Sequence, residues 1–346
     1  TKDKYLEKHT DTGNINLKNV NFYLDADEML DAEKPDGVFV GTRCVDHTKM
    51  ALKVLKRKIP LYLEKPVSLT ENELDELSHY VNEMDDKTVV SMPLRVSPIG
   101  IKVKEIIDSG AIGKIQNIEA VCNSIGGSGY FHTWYRLMDQ TGGLFLQLAV
   151  HDIDYINYFI GVKPVLVTAM TSKTYYKGNK PANLMCKDCE ENMTCPESPH
   201  IITNIKKDYI RGDYCCFSTD NGLEDAGAAL IKYENGLFVN YTQNFIVKKH
   251  GGKRGAIIIG SEGTIDFNWY TGKINVYYHD NREDEEYKFG NGEIFFGGDD
   301  ITLYNFIDIM KGKAKSKIPL SAGILAAKVS LMARISSETE KFITIS

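Results

Sequence analysis

The sequence predicts an α/β chain of two unlike parts: a doubly wound parallel sheet, then an α+β part with a large mixed or antiparallel open sheet. Three observations predict it. Short apolar runs alternate with helical patterns as far as residue 95. Beyond it the apolar runs lengthen and alternate strictly, with an Asn235-Gly236 hairpin signal between two of them. A length of 346 residues also exceeds what one core usually serves.

Each element follows from local pattern. Residues 1–10 read as a short polar helix, 20–23 as a strand, 26–33 as a helix and 37–41 as a strand. Met50, Ala51, Val54 and Leu55 fall at helical spacing in the next segment. Residues 61–63 read as a buried strand. Thr70 and Glu73 have the spacing of a capping box, which opens a helix over 71–84. An apolar strand begins at Thr88. Strands alternating with helices imply a parallel, doubly wound sheet of Rossmann type. Such a sheet opens with a strand, a Gly-x-Gly-x-x-Gly turn and a helix. Here the first glycine is Gly13, alone. A parallel sheet lacking its central strand would expose a long apolar edge. The expectation is therefore that ~40 residues carrying the turn precede Thr1.

The second part opens with a helix over 98–109, with Ile99, Val103, Ile106 and Ile107 inward and Gly110 as its stop. Strand-like runs begin near residues 115, 164, 226, 238, 255 and 273. The last stretch, from residue 300, is helical. The expected division is 1–95, an incomplete dinucleotide-binding domain, and 96–346, an α+β domain whose last helices are expected to pack back on the first.

Composition removes several classes. A net charge of −6 without a long basic run argues against nucleic acid. No apolar run approaches the ~18 residues of a membrane span, and no signal peptide stands at the start. Five of seven cysteines fall between 186 and 216. That pattern fits a reducing, cytoplasmic setting better than a secreted disulfide framework.

Two stretches carry the chemistry. In "PLYLEKPVSLT" the charged pair Glu64-Lys65 stands where a strand becomes a loop. In open parallel sheets that edge binds ligands; the other reading is a solvated surface pair. In "TGGLFLQLAVHDIDYINYFIG" the helix is apolar nearly all round, so it is buried. Gln147, His151 and Asp154 then share one stripe, at i, i+4 and i+7. Buried polar groups need partners, so His151 is either a site residue or a core histidine tied to a carbonyl. A third stretch, "CKDCEENMTC", sets Cys186, Cys189 and Cys195 at metal-site spacing, with Cys216, or nearly as well Cys215, as fourth ligand. Structural zinc, free thiols, an iron–sulfur cluster or a disulfide all remain open.

Glu-Lys-Pro after such a strand, followed by Gly-Gly and later His-x-x-Asp on a helix, resembles the Gfo/Idh/MocA oxidoreductases. "VGTRCVDHTKMAL", "EIIDSGAIGKI", "GSEGTID" and "GGDD" extend the likeness over nearly the whole chain. The resemblance implies an NAD- or NADP-dependent dehydrogenase of a sugar, polyol or related compound, assembled as a homodimer or homotetramer through the second sheet. It also admits a redox-assisted glycosidase or a non-catalytic dinucleotide-binding regulator. By this likeness Lys65 donates to the reacting oxygen and His151 is the general base. Gln147 stands where the family has a carboxylate, so Asp152, Asp154 or Asp139 is expected to supply the missing charge. Thr42, Arg43, His47, Glu64 and Lys65 are expected along the cofactor. Arg95, Trp134, Arg136 and Asp154 are expected to face the substrate.

Overall fold

A computed structural model describes residues 20–201, 212–290 and 294–346. The helix expected over 1–10 lies outside them. Residues 20–23 form no strand, in contrast to the sequence reading; Asn21 and Tyr23 instead hydrogen-bond the Glu33 carboxylate.

The first part follows the expected alternation. Helix α1 (Ala26–Glu33) is capped by the Asp25 carboxylate, which accepts from Asp27 N and Glu28 N. Strand β1 (Val38–Val40), helix α2 (His47–Leu55) and strand β2 (Leu61–Leu63) follow. The helix expected over 71–84 is broken into α3 (Glu71–Ser78) and α4 (Val81–Met84), before β3 (Thr88–Val90). Thr70 caps α3 as its spacing predicts, accepting from Glu73 N. The Glu73 carboxylate closes the box one residue early, on Leu69 N. β1, β2 and β3 pair in parallel, in that order.

The second part begins with α5 (Pro98–Asp108), capped by Ser97 and stopped by Gly110 at φ +75°. β4 (Ile115–Asn123) leads through short helices α6 (Ser128–His132) and α7 (Met138–Thr141) to α8 (Val150–Ile160). Seven more strands follow: β5 (Pro164–Ser172), β6 (Ala226–Tyr233), β7 (Phe238–Asn244), β8 (Lys253–Gly260), β9 (Gly263–Asn268), β10 (Lys273–Tyr278) and β11 (Glu285–Lys288). Together with the terminal β12 (Ile343–Thr344) they form a nine-stranded sheet, ordered β11-β10-β9-β8-β4-β7-β6-β5-β12. Only the β4–β7 pair in it is parallel. The Asn235-Gly236 turn joins β6 to β7, with Gly236 at φ +87°.

Alternation decides which face of this sheet is covered. Ile231, Tyr233, Val239 and Tyr241 point into the core, under α8 and the long helix α10 (Leu320–Thr339). Met170, Leu230 and Phe238 point to the open face and stay exposed. α10 has the length and mean hydropathy of a membrane span, which qualifies the expectation from the apolar runs. Its apolarity has a nearer cause: Gly323, Ala326, Ala327, Val329, Leu331 and Ala333 are buried in the protein.

The last helices return to the first sheet. α9 (Gly298–Met310) sets Phe306 and Ile309 against Tyr62 and Val89. α10 lies so close that a Cβ on Gly323 would stand 2.8 Å from Val90. Just before it, Ile318 O accepts from Val90 N at 2.9 Å.

Candidate active site

Lys65 and His151 lie in one cleft of about 410 Å³, with Phe39, Tyr62, Glu64, Ser91, Asp299, Asp300 and Leu303. Five elements build it, with β1 supplying Phe39. The ends of β2 and β3 supply Glu64, Lys65 and Ser91, α8 supplies His151, and α9 supplies the two aspartates. The carboxyl edge of the parallel sheet thus faces the buried helix, as the two sequence stretches suggest.

Lys65 Nζ donates to the main-chain oxygen of Gln147 at 2.7 Å. That oxygen lies in a π-helical segment, Phe145–Ala149, which precedes α8. A π turn lengthens the hydrogen-bond ladder and offers carbonyls to outside donors. The Gln147 amide oxygen accepts from Cys44 Sγ at 3.3 Å. Gln147 therefore joins the lysine and the first part of the chain through both of its oxygens.

Burial drives the titration of the cleft. It lowers the Lys65 pKa, against the pull of Glu64. It holds His151 well below the usual imidazole range, and the charges of Lys65 and Arg254 push the same way. His151 is thus a neutral imidazole near pH 7. Asp299 moves in the opposite sense, up to about 6, because it is partly buried and sits beside Glu64 and Asp300.

Several expected site residues have other work. His47 braces two loops, with Nδ1 2.7 Å from Pro66 O and Nε2 3.0 Å from Thr42 O. It is buried there, in contrast to the expected cofactor role. Arg95 and Asp154 form a buried bidentate pair, with Nε to Oδ2 at 2.7 Å, and Arg95 also lies over the Tyr158 ring. A desolvated carboxylate must be matched by a charge. The two residues expected to face substrate therefore hold α8 to the 93–96 turn. Arg136 is buried and bonded to Ser218 and Asp220, over the Tyr214 ring, outside the cleft lining. Asp152 is gripped by Arg254 through Nε at 2.9 Å and Nη2 at 3.1 Å, and accepts from Tyr241. Asp139 is exposed, accepting from Gln140. Neither is among the residues that line the cleft.

Thr42, Arg43 and Trp134 are not among the residues that line the cleft. Trp134 stacks on Tyr135 at 4.2 Å, and the Arg43 guanidinium covers Trp134 at 5.0 Å. The expected cofactor loop and substrate loop therefore meet in one cation–π contact.

Sequence reasoning missed Glu224 and Arg254, and it noted the α9 aspartates in "GGDD" without giving them a role. Glu224 accepts from Leu144 N and Phe145 N at 2.8 and 3.2 Å, capping the π segment. Its signal was faint: one acid of the pair Glu224-Asp225 before a strand, eighty residues from the segment it caps.

A cleft between a nucleotide-type parallel sheet and a broad sheet covered on one face, with a half-buried lysine and a buried histidine inside, marks the Rossmann-type class of two-part α/β chains. The chain belongs to the Gfo/Idh/MocA family: residues 7–92 match its oxidoreductase domain, the NAD-binding Rossmann fold, and residues 101–266 match its C-terminal domain. YteT of Bacillus subtilis (strain 168) is 27% identical over 270 residues, which cover 70% of this chain and 62% of YteT. The inositol 2-dehydrogenase of Rhizobium meliloti (strain 1021) is 23% identical over 39% of each chain. The chain thus spans less than two thirds of either relative. Among solved structures, levoglucosan dehydrogenase in complex with NADH and levoglucosan superposes with a TM-score of 0.71 at 16% identity, over 95% of this chain and 85% of that one. The myo-inositol 2-dehydrogenase of Lactobacillus plantarum gives a TM-score of 0.66 at 20% identity, over 94% and 84%.

Proposed function

We propose that the protein is an NAD(P)-dependent dehydrogenase acting on the CH–OH group of a sugar, polyol or related compound. The observation that carries this reading is the sharing of one cleft by Lys65 and a neutral His151 at the carboxyl edge of the parallel sheet. The residues fit a nicotinamide dinucleotide. Thr42 and Arg43 follow β1, Glu64 and Lys65 follow β2, and that edge of such sheets receives dinucleotides. When bound, the nicotinamide supplies the hydride acceptor.

The chain's own groups handle the proton and the charge. Neutral His151 accepts the hydroxyl proton. The Lys65 ammonium stabilises the negative charge that grows on the oxygen. The two steps assist each other. The Lys65 charge is one reason His151 binds a proton poorly, and an alkoxide beside Lys65 offsets that repulsion as the proton moves. The inositol and levoglucosan dehydrogenases among the relatives support a polyhydroxy substrate. The exposed Met170, Leu230 and Phe238 on the open sheet face support assembly of copies through that sheet. The odd, clustered thiols support a cytoplasmic setting.

The deciding experiment screens sugars and polyols against the protein with NAD or NADP, following the absorbance of reduced nicotinamide. Substrate-dependent growth of that signal is expected. Dinucleotide binding with no turnover on any compound would favour a regulator, a reading supported by the uncharged Gln147. Cleavage of a glycoside with no net reduced nicotinamide would favour a redox-assisted glycosidase.

A further inference from the structure

The cysteine segment lies outside the proposed reaction, yet it is built around an enclosed space. All five thiols of the 186–216 region are free and line one small cavity of about 20 Å³. A volume of ~10–15 Å³ on this measure is what a single water needs, so the void is the size of one small bound species. Its wall also carries Lys180, His132 and Glu197.

The backbone shows how the thiols come to face one another. Cys186, Lys187 and Asp188 form a 3-10 turn, closed by Cys189 N donating to Cys186 O at 3.2 Å. This turn brings both thiols of Cys-x-x-Cys to one side. Met185 and Tyr214 form an antiparallel bridge, with Cys215 N donating to Leu184 O and Cys186 N to Asp213 O. In that register Leu184 lies opposite Cys215. Cys186, two residues on from Leu184, shares its face. Cys195 enters from a second turn, its N–H donating to Glu191 O.

We propose that Cys186, Cys189, Cys195 and Cys215 bind one structural zinc ion in this cavity. Zinc prefers a closed tetrahedron of thiolates where it serves structure alone. As they stand, the side chains do not converge: among the described residues no three His, Cys, Asp or Glu groups are placed to hold a metal. The thiols already line the void, and closing the sphere requires their side chains to rotate toward it. Cys215 replaces Cys216, the sequence choice, because the bridge register sets it on the Cys186 face. Lys180 stands at the wall, where its ammonium is paired with the Glu191 carboxylate.

The proposal reaches past the hydride chemistry. Among its described residues the segment between β5 and β6 has polar ties to Asp225 and buried anchors in Tyr176 and Leu223, and a metal would add a staple at the thiols. Elemental analysis of the full chain, purified without chelator and then equilibrated with zinc and desalted, tests it. About one equivalent of zinc is expected, released in step with thiol modification by a mercurial. Cys189→Ser and Cys195→Ser should each lower bound zinc at least tenfold, while Cys216→Ser keeps it. Dinucleotide binding, measured in the same samples, shows that each variant is folded. Less than a tenth of an equivalent in folded wild-type protein, with all five thiols reacting freely, overturns the site. Loss of zinc in Cys216→Ser with retention in Cys215→Ser overturns the assignment of the fourth ligand.

Discussion

At the scale of single residues, the cleft depends on two charges that burial makes unstable. Replacing Lys65 by Ala removes the ammonium aimed at the reacting oxygen. A fall of ~100-fold or more in kcat/KM on the identified substrate is expected, with dinucleotide affinity changing less. Turnover near that of the wild type would remove Lys65 from the chemistry. Gln147→Asp puts a carboxylate about one turn before His151, on the π segment that leads into its helix. It should raise the apparent pKa of the basic group in the pH–rate profile, because a nearby anion favours imidazolium. An unmoved profile would show that position 147 does not couple to His151. Asp299 permits a stability measurement. Its folded pKa of about 6 lies above the ordinary value of 3.8, so the folded state holds the extra proton between those limits. Stability contributed there is present at low pH and falls as pH rises toward 6. Asp299→Asn should therefore raise the melting temperature at pH 8 and leave it nearly unchanged at pH 4. An equal gain at both pH values would point to a cause other than charge.

At the scale of elements, buried pairs decide how firmly α8 is held. Asp154→Ala leaves the Arg95 guanidinium buried without its carboxylate, which costs ~3–5 kcal/mol. The double change Arg95→Met with Asp154→Leu should recover much of that loss in a denaturant titration. A double variant as unstable as the single one would show that packing, not the orphaned charge, was lost. Asp225 plays a similar part for the segment after β5: its Oδ2 accepts from the backbone N–H groups of Thr174, Tyr175 and Tyr176. These elements differ in how legible they were. Short strands and capped helices were plain, because Asn235-Gly236, Thr70 and the apolar triplets are local signals. The π segment was not, since it depends on Glu224, which approaches only when the sheet has formed. For the same reason, helical spacing placed Gln147, His151 and Asp154 on one stripe, whereas tertiary partners separate them: Gln147 toward Cys44, Asp154 toward Arg95.

At the scale of the whole molecule, the two sheets are held in register by helices that come last in the chain. A larger residue at 323 meets Val90 and Val67 at once. Gly323→Val should destabilise by ~1–3 kcal/mol and weaken dinucleotide binding in parallel. Unchanged melting would mean that α10 can slide away from β3 without consequence. The order of parts was readable from the change in apolar rhythm near residue 95, and the return of the last helices was expected; what α9 carries into the cleft was not. Its aspartates reach the cleft from a segment that looks like any polar helix start.

Lys65 spans the boundary between the halves: it grows from the parallel sheet and is anchored on a carbonyl of the opposite one. One side chain thus serves as both reagent and alignment gauge. A shear of an ångström between the halves would leave each of them intact while the ammonium lost its seat. Damage along this boundary should therefore show itself as silence before it shows itself as collapse. Random substitution there would yield many soluble, well-formed proteins that no longer react. In such a molecule, the survival of activity is the more sensitive report on architecture.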